Sequence, residues 1–436
     1  MPQQSLPDQL PIEPVARPVC GRIRPPGSKS ITNRAVICAA LARGTSRLTG
    51  ILDSDDTRVM VAGLAGLGFA IEADWAGHRL TVTGSGGEIP AATAAIDCQA
   101  SGTTMRFLAA LTSLGHGRYR LDGTPRMRQR PIGDLLAALR ALGLEAEAGS
   151  PGECPPVTVT ATGVTAAAVT IAGNTSSQFA SGLALAAPCM PQGLALELAG
   201  TLVSTPYLTL TRLVMEAFGG RCDLPDEIHW QIAATGYTAC DYVVEPDASA
   251  ASYFAAVAAI TGGTVEILGL GRDSLQGDVA FCDLLEQMGC TVRWPEPGSA
   301  SPSIAVTGGP LRGIDVDMNA ISDTVMTLAA VALFAEGPTT IRNVAHIRDK
   351  ETDRIADLTR ELRRLGATIE ERPDGLTILP APLRPAAIHT YDDHRMAMSL
   401  ALVGLRSPGV TILAPACVGK TFPGYWEALQ AVTTNC

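Results

Sequence analysis

Apolar residues recur along the chain in two alternating rhythms. Segments with a period near 3.6 end in Leu-Gly or a close variant, and each is followed by two short runs of strict apolar–polar alternation. The first rhythm predicts helices over 55–68, 132–143, 208–219, 278–289 and 351–366, with a truncated last copy over 425–432. Each full copy closes on a Gly, the residue that most easily takes the left-handed conformation ending a helix. The second rhythm predicts strand pairs 69–73 with 79–84, 144–147 with 156–160, 221–224 with 230–233, 290–294 with 303–308, and 367–371 with 375–379. The closing glycines, Gly68, Gly143, Gly219, Gly289 and Gly366, stand roughly seventy to eighty residues apart, longer than a solenoid repeat. A second set of helices, rich in Ala and Leu, is predicted over 103–112, 177–187, 248–260 and 323–334, with short strands between. The repeating unit is thus of β-α-β-α-β-β type. Helix followed by hairpin is a common motif, but five concordant copies exceed coincidence. Six units suggest two pseudo-threefold α/β (α+β) domains of three units each.

Composition agrees with layered packing. The chain has 436 residues, 46% of them hydrophobic and only 4% aromatic, so Ala, Gly, Leu, Val and Thr must do the packing. A formal net charge of -10 argues against bulk affinity for nucleic acid, yet leaves room for local cation clusters that take anionic small molecules. The 11 cysteines form no CxxC pair and show no zinc-ligand spacing with His, so buried, reduced thiols of a cytoplasmic protein are expected. No run of about 18 apolar residues is present to span a bilayer, and residues 1–16 form a Pro-rich lead-in without the pattern of a secretory signal.

Within this frame the stretch Pro25-Pro26-Gly27-Ser28-Lys29-Ser30-Ile31-Thr32-Asn33-Arg34 opens an apolar helix. Lys29, Ser30 and Arg34 at a helix start could form a socket for phosphate or carboxylate; a capped surface helix with solvated cations is the alternative. Ser101-Gly102-Thr103-Thr104-Met105-Arg106 opens another helix, where Gly102 permits close contact, though in isolation a plain N-cap is the favoured reading. Arg126, Arg128 and Arg130 form either a surface loop or an anion clamp. Asn174-Thr175-Ser176-Ser177-Gln178 is a hydroxyl-rich helix start, suited to capping or to phosphate and sugar-like hydroxyls. Asp323 could be a cap or a base. The run from Arg348 to Arg354, with Lys350 and Glu351, is the densest charge cluster, and Asp392, Asp393, His394 and Arg395 precede an apolar run. Gly419-Lys420-Thr421 is no phosphate loop, because Ala414 stands where its first Gly belongs. No GxSxG is present. Collectively, Lys29, Arg34, Arg106, Arg130, Lys350, Arg354, Arg395 and Lys420 at helix starts and loops suggest a cleft for a multiply anionic ligand, with Asp323 and Glu351 as acid/base candidates.

From about Val19 to Leu429 the chain resembles the 5-enolpyruvylshikimate-3-phosphate synthases, in the enolpyruvyl transferase family. The resemblance is carried by PGSKSITNRA, LDSDDTRVM, SGTTMR, PRMRQRPIGDLL, SSQFASGLAL, LVSTPY, VEPDASAASYF, ISDTVMT, RDKETDRI, YDDHRMAM and GKTFPGYW, in that order. It implies a two-domain inside-out α/β barrel, with residues 1–27 plus 245–436 in one domain and 28–244 in the other, closing on substrate. It implies transfer of the enolpyruvyl group of phosphoenolpyruvate to the 5-hydroxyl of shikimate 3-phosphate through a tetrahedral intermediate, with no metal or organic cofactor, in a cytoplasmic monomer that glyphosate could inhibit. Asp323 would take the hydroxyl proton, Glu351 would protonate the methylene carbon, and Lys29 would touch both substrates. Lys29, Ser30, Arg34, Ser176, Ser177, Gln178, Ser204, Tyr207, Asp323 and Lys350 match positions for shikimate 3-phosphate. Lys29, Gly102, Arg130, Gln178, Arg354, Arg395 and Lys420 match those for phosphoenolpyruvate. His346, Asp349 and Phe107 depart from the pattern of some members. The rivals are a UDP-N-acetylglucosamine enolpyruvyl transferase, which carries a Cys before an Arg-Pro pair where residues 122–129 here have none, and a non-catalytic anion-binding paralogue.

Overall fold

The strand pairings repeat one scheme six times. In the computed structural model, which describes residues 6–174 and 176–434, a parallel pair of strands is extended on one side by an antiparallel strand and then by a second one. Thus Thr93–Asp97 runs parallel to Gly117–Asp122, which pairs antiparallel with Cys154–Ala161, which pairs antiparallel with Glu145–Ser150. The sheets built on Ala168–Ala172 with Leu194–Ala199, and on Asp315–Asp317 with Thr339–Arg342, follow the same order. The last copy is shortened: Ala386–Ile388 runs parallel to Val410–Leu413, and Gln9–Pro11 adds the antiparallel strand. Thr175 of the hydroxyl-rich stretch, the first residues of the lead-in and Cys436 lie outside the described residues.

The chain divides into two compact units, residues 1–26 with 245–436, and residues 27–244. Each is closed by strands from distant parts of the chain. In the first, Cys20–Ile23 runs parallel to Thr264–Leu268; in the second, Tyr237–Thr238 and Asp241–Val243 run parallel to Ala42–Thr49.

Twelve α-helices occur among the described residues: α1 (Lys29–Leu41), α2 (Asp55–Gly66), α3 (Gly102–Leu111), α4 (Gly133–Ala141), α5 (Ser177–Ala186), α6 (Thr205–Ala217), α7 (Ala248–Thr261), α8 (Phe281–Gln287), α9 (Val325–Ala332), α10 (Arg354–Arg364), α11 (His394–Gly404) and α12 (Tyr425–Thr434). They fall into two kinds. Helices α3, α7, α9 and α11 are buried along their whole length, and α1 and α5 nearly so. A helix apolar all round belongs inside. Accordingly α1, α3 and α5 pack on one another in the second unit, and α7, α9 and α11 in the first, each backed by a sheet whose outer positions are exposed. Small residues let these helices approach closely. A Cβ on Gly182 of α5 would lie 3.0 Å from Ala110 Cβ and 3.1 Å from Arg106 O of α3. That is why so chain-rich in Ala, and so poor in aromatics, can still fill two interiors.

Of the remaining helices, α4, α8, α10 and α12 pack against sheet strands, and α6 packs on α1 and α5. In α10, Ile355, Leu358 and Leu362 face inward at helical spacing. Some boundaries differ from the sequence expectation. The expected helix over 278–289 begins as a 3-10 turn, Gly277–Ala280, before α8. The helix expected from Glu351 starts at Arg354, because Asp353 caps it by accepting from Ala356 N at 3.0 Å. The helix expected from Asp323 starts at Val325, leaving Asp323 in the 3-10 segment Asn319–Thr324, so it is not a cap. No helix among the described residues is long and apolar enough to cross a membrane.

Candidate active site

Within each unit the chemistry-bearing residues lie at helix starts or in the turns and 3-10 segments beside them. In the unit of 1–26 and 245–436, Arg354 is the centre. Its side chain is only 2% exposed and faces three carboxylates: Asp393 (Nε–Oδ2 2.8 Å), Glu351 (Nη2–Oε2 2.8 Å) and Asp323 (Nη1–Oδ1 3.2 Å). Burial opposes the charge, but Asp393, Glu351 and Asp323 outweigh it and hold the guanidinium above its ordinary pKa. Arg395, in the first turn of α11, meets the other oxygen of Asp323 (Nη2–Oδ2 2.6 Å) and points Nη1 at Tyr253 Oη of α7, 3.5 Å away. Lys420, the last residue of the 3-10 segment Pro415–Lys420, meets Glu351 (Nζ–Oε1 3.1 Å). Both candidate acid/base groups are therefore held between two cations, and Arg354 is common to both.

The local sequence explains this placement. Asp393 caps α11, accepting from Arg395 N at 2.8 Å while it binds Arg354, so one carboxylate fixes a helix start and a guanidinium together. The turn before it runs through Tyr391 (φ 53°) and Asp392 (φ 56°), left-handed at both residues. Tyr391 Oη donates to the buried Glu361 of α10 at 2.6 Å, which anchors that turn. His346 is buried, with Nε2 2.9 Å from Ser322 Oγ. Burial first, then the charge of Lys350, lowers its pKa to about 4, so the ring is neutral near pH 7. Lys350 follows the turn Ala345–Asp349, and Asp349 is exposed. Arg348 is taken up by Asp353 (2.9 Å) and Glu371 (3.0 Å), away from Asp323.

In the unit of 27–244, Ser28 caps α1, accepting from Ile31 N at 3.4 Å, and Lys29 and Ser30 are its first residues. Lys29 Nζ lies 3.4 Å from Oδ2 of the buried Asp56, in the first turn of α2. Ser101 caps α3 and Ser176 caps α5. Gly102 is crowded by cations: a Cβ there would lie 2.5 Å from Arg106 Nη1 and 2.7 and 2.8 Å from the two terminal nitrogens of Arg130. Two buried guanidiniums thus converge on the start of α3, where the helix dipole adds further positive potential. Gln178 of α5 ties in, accepting from Arg106 Nη1 and donating to Thr103 Oγ1, both at 3.2 Å. Ser177 is the first residue of α5. Ser204 is left-handed (φ 54°) at the start of α6, followed by Tyr207.

Arg34 is turned inward. It is 2% exposed and donates to Thr211 Oγ1 (2.8 Å), Ser30 O (2.9 Å), Ser181 Oγ and Tyr207 O (both 3.4 Å). Its guanidinium carbon lies 5.1 Å from the Phe107 ring centroid, and burial lowers its pKa to about 10. In this arrangement it ties α1, α5 and α6 together. The sequence motifs did not single out Asp393 as a carboxylate partner or Asp56 as the partner of Lys29. A signal existed for the former, since an Asp directly before His-Arg at a helix start is a cap whose second oxygen remains available.

The model of the EPSP synthase (3-phosphoshikimate 1-carboxyvinyltransferase) family matches residues 15–429. The chain belongs to the EPSP synthase family. Among curated members, the 3-phosphoshikimate 1-carboxyvinyltransferase of Nostoc punctiforme is 46% identical over 421 residues, covering 96% of this chain and 98% of that protein. That of Klebsiella pneumoniae is 45% identical over 435 residues, covering 98% and 99%. Among solved structures, EPSP synthase from Acinetobacter baumannii superposes with a TM-score of 0.80 at 25% identity, covering 97% of this chain and 98% of that one. The enolpyruvyl transferase NikO from Streptomyces tendae shares the fold, with a TM-score of 0.73 at 21% identity and 97% of both chains covered. The EPSP synthase fold is the two-domain α/β arrangement that the repeated sequence rhythm implies.

Proposed function

We propose that this chain transfers the enolpyruvyl group of phosphoenolpyruvate to the 5-hydroxyl of shikimate 3-phosphate and releases phosphate, as its family membership supports. The observation that carries the residue assignment is the alternation Lys420–Glu351–Arg354–Asp323–Arg395, with contacts of 2.6 to 3.2 Å. Two carboxylates sharing three cations are poised to hand those cations to a ligand with a carboxylate and a phosphate.

Phosphoenolpyruvate bound at Arg354, Arg395 and Lys420 competes with Asp323 and Glu351 for the same donors. Each carboxylate then loses cationic stabilisation and gains proton affinity. Asp323 takes the proton of the 5-hydroxyl as its oxygen bonds to C2 of phosphoenolpyruvate. Glu351 delivers a proton to C3, giving the tetrahedral intermediate. In elimination the C2–O bond to phosphate breaks, a carboxylate removes a proton from C3, and the enol ether and phosphate are formed. Lys29 and Lys420 offset the charge of the leaving phosphate. Arg130 and Gly102 serve phosphoenolpyruvate. Ser30, Ser176, Ser177, Gln178, Ser204, Tyr207 and Lys350 hold shikimate 3-phosphate, with Arg34 shaping that surface from beneath. The chain acts as a monomer in the cytoplasm.

The test is phosphate release from phosphoenolpyruvate with shikimate 3-phosphate as acceptor, and separately with UDP-N-acetylglucosamine. Turnover with the first alone is expected. Turnover only with the second, or with neither, would overturn the proposal.

A further inference from the structure

A fourth carboxyl stands behind the site. Asp278 lies in the 3-10 turn Gly277–Ala280, only 5% exposed. That turn packs against α7 and against the segment Asn319–Thr324, which carries Asp323. Ser249, in the first turn of α7, donates its hydroxyl to Asp278 Oδ2. The charged groups acting on Asp278 are Asp323 from the segment Asn319–Thr324, Arg395 from α11, and Asp247, the cap of α7, while α8, which also packs against the turn, contributes none of them. Arg395 is the residue that also grips Asp323 and approaches Tyr253.

We infer that Asp278 is a positioning residue for the transfer reaction, a buried carboxylate whose negative charge makes Asp323 a stronger base and steadies Arg395 against it. The inference rests on the reading of Asp323 as the base. Burial first, and then the charge of Asp323, raises the pKa of Asp278 to about 6, while the Ser249 hydroxyl pulls it back down. Coupling between two sites is reciprocal. If ionised Asp323 makes Asp278 harder to ionise, ionised Asp278 makes Asp323 hold a proton more tightly by the same amount. Above about pH 6 the charge is present and the base is strong; below it Asp278 takes up a proton and that support is lost. Turnover should therefore show an acid limb set by a group that never touches substrate.

The experiment is the pH dependence of kcat for the wild type, Asp278→Asn and Ser249→Ala, with saturating substrates. Asp278→Asn should lower plateau kcat about threefold to tenfold and abolish the limb or move it at least half a unit down, with KM for shikimate 3-phosphate little changed. Ser249→Ala, which keeps the carboxyl but removes its hydroxyl donor, should move the limb up. A purely structural carboxyl would lower thermal stability in both variants and leave the limb in place, and that result overturns the inference. Should Asp278→Asn fail to fold, the upward shift in Ser249→Ala decides alone. Asp323→Asn separates the two readings. Normal turnover in that variant removes the base assignment itself. Collapsed turnover together with an unmoved limb in the other two variants removes only the role of Asp278.

Discussion

The two units solve the same packing problem and carry different chemistry. Each packs three buried helices together, α1, α3 and α5 in one and α7, α9 and α11 in the other. In the unit of 1–26 and 245–436 the charges alternate in sign: Asp323, Glu351 and Asp393 interleave with Arg354, Arg395 and Lys420. At α1, α3 and α5 the side chains are cations, hydroxyls and an amide, with Lys29 facing Asp56 and two guanidiniums crowding Gly102. A balanced ion network supports proton transfer, because a ligand that displaces one partner changes the basicity of the other. A surface of cations and hydroxyls supports docking, because its donors keep their charge throughout. The repeated fold thus supplies helix ends, and the residues at those ends give the two units different electrostatics.

Arg354→Met tests that contrast most severely. It leaves Asp393, Glu351 and Asp323 without their shared cation in a buried place. Loss of one partner of a buried pair typically costs about 3–5 kcal/mol, so the melting temperature and activity should both collapse. A variant of near-native stability would show that the network is a surface ornament. Next in size, Asp323→Asn and Glu351→Gln should each cut kcat about a hundredfold or more in the phosphate-release assay, with KM for shikimate 3-phosphate within about threefold of wild type. If instead KM rose and kcat held, the network would be a docking surface like that of the other unit, and the distinction would fail.

Gly102→Ala probes the docking side. The new Cβ meets guanidinium nitrogens of Arg106 and Arg130 at 2.5 to 2.8 Å. Both are ends of long side chains, so they move rather than break the helix. KM for phosphoenolpyruvate should rise about tenfold while kcat stays within about threefold and the melting temperature holds. A fall in kcat with unchanged KM would place Gly102 with the chemical groups instead.

Much of this organisation was legible in the chain. The Gly-terminated helices, the alternating strands and the Ala-rich buried helices follow from local pattern, because helix capping and periodic burial act over a few residues. Helix starts carrying Lys29, Gly102, Ser177 and Arg395 could likewise be located. What pattern could not show is which groups meet. Arg354 and Asp393 are joined across |i−j| = 39, and Arg395 and Asp323 across 72. Arg34 sits in the same motif as Lys29, yet packing of α5 and α6 turns it inward onto Thr211 and Ser181. Such outcomes depend on how helices pack, and a motif is silent about that. Glu351 and Asp323 fall just outside the helices expected to begin with them, because Asp353 and the 3-10 segment take over the helix starts.

The smallest expected effect concerns stability rather than rate. His346 titrates in the folded protein near 4, against an ordinary value of 6.5. Between those values the unfolded chain binds a proton that the folded chain refuses, so folding stability must fall as pH is lowered. Between pH 7 and pH 6 the loss is about 0.7 kcal/mol for a shift of this size. Asp278 tilts the other way, since its pKa of about 6 lies above the ordinary 3.8 and the folded state binds the extra proton there. The wild-type curve therefore conceals part of each contribution. His346→Gln, which keeps a hydrogen-bonding side chain next to Ser322 and removes the titration, isolates one of them. Its urea-unfolding free energy should be flatter than that of wild type from pH 7 to pH 6, or should rise slightly as Asp278 takes its proton. Parallel curves for the two proteins would mean that the ring titrates normally, and that His346 is open to water rather than sealed beneath the acid/base network.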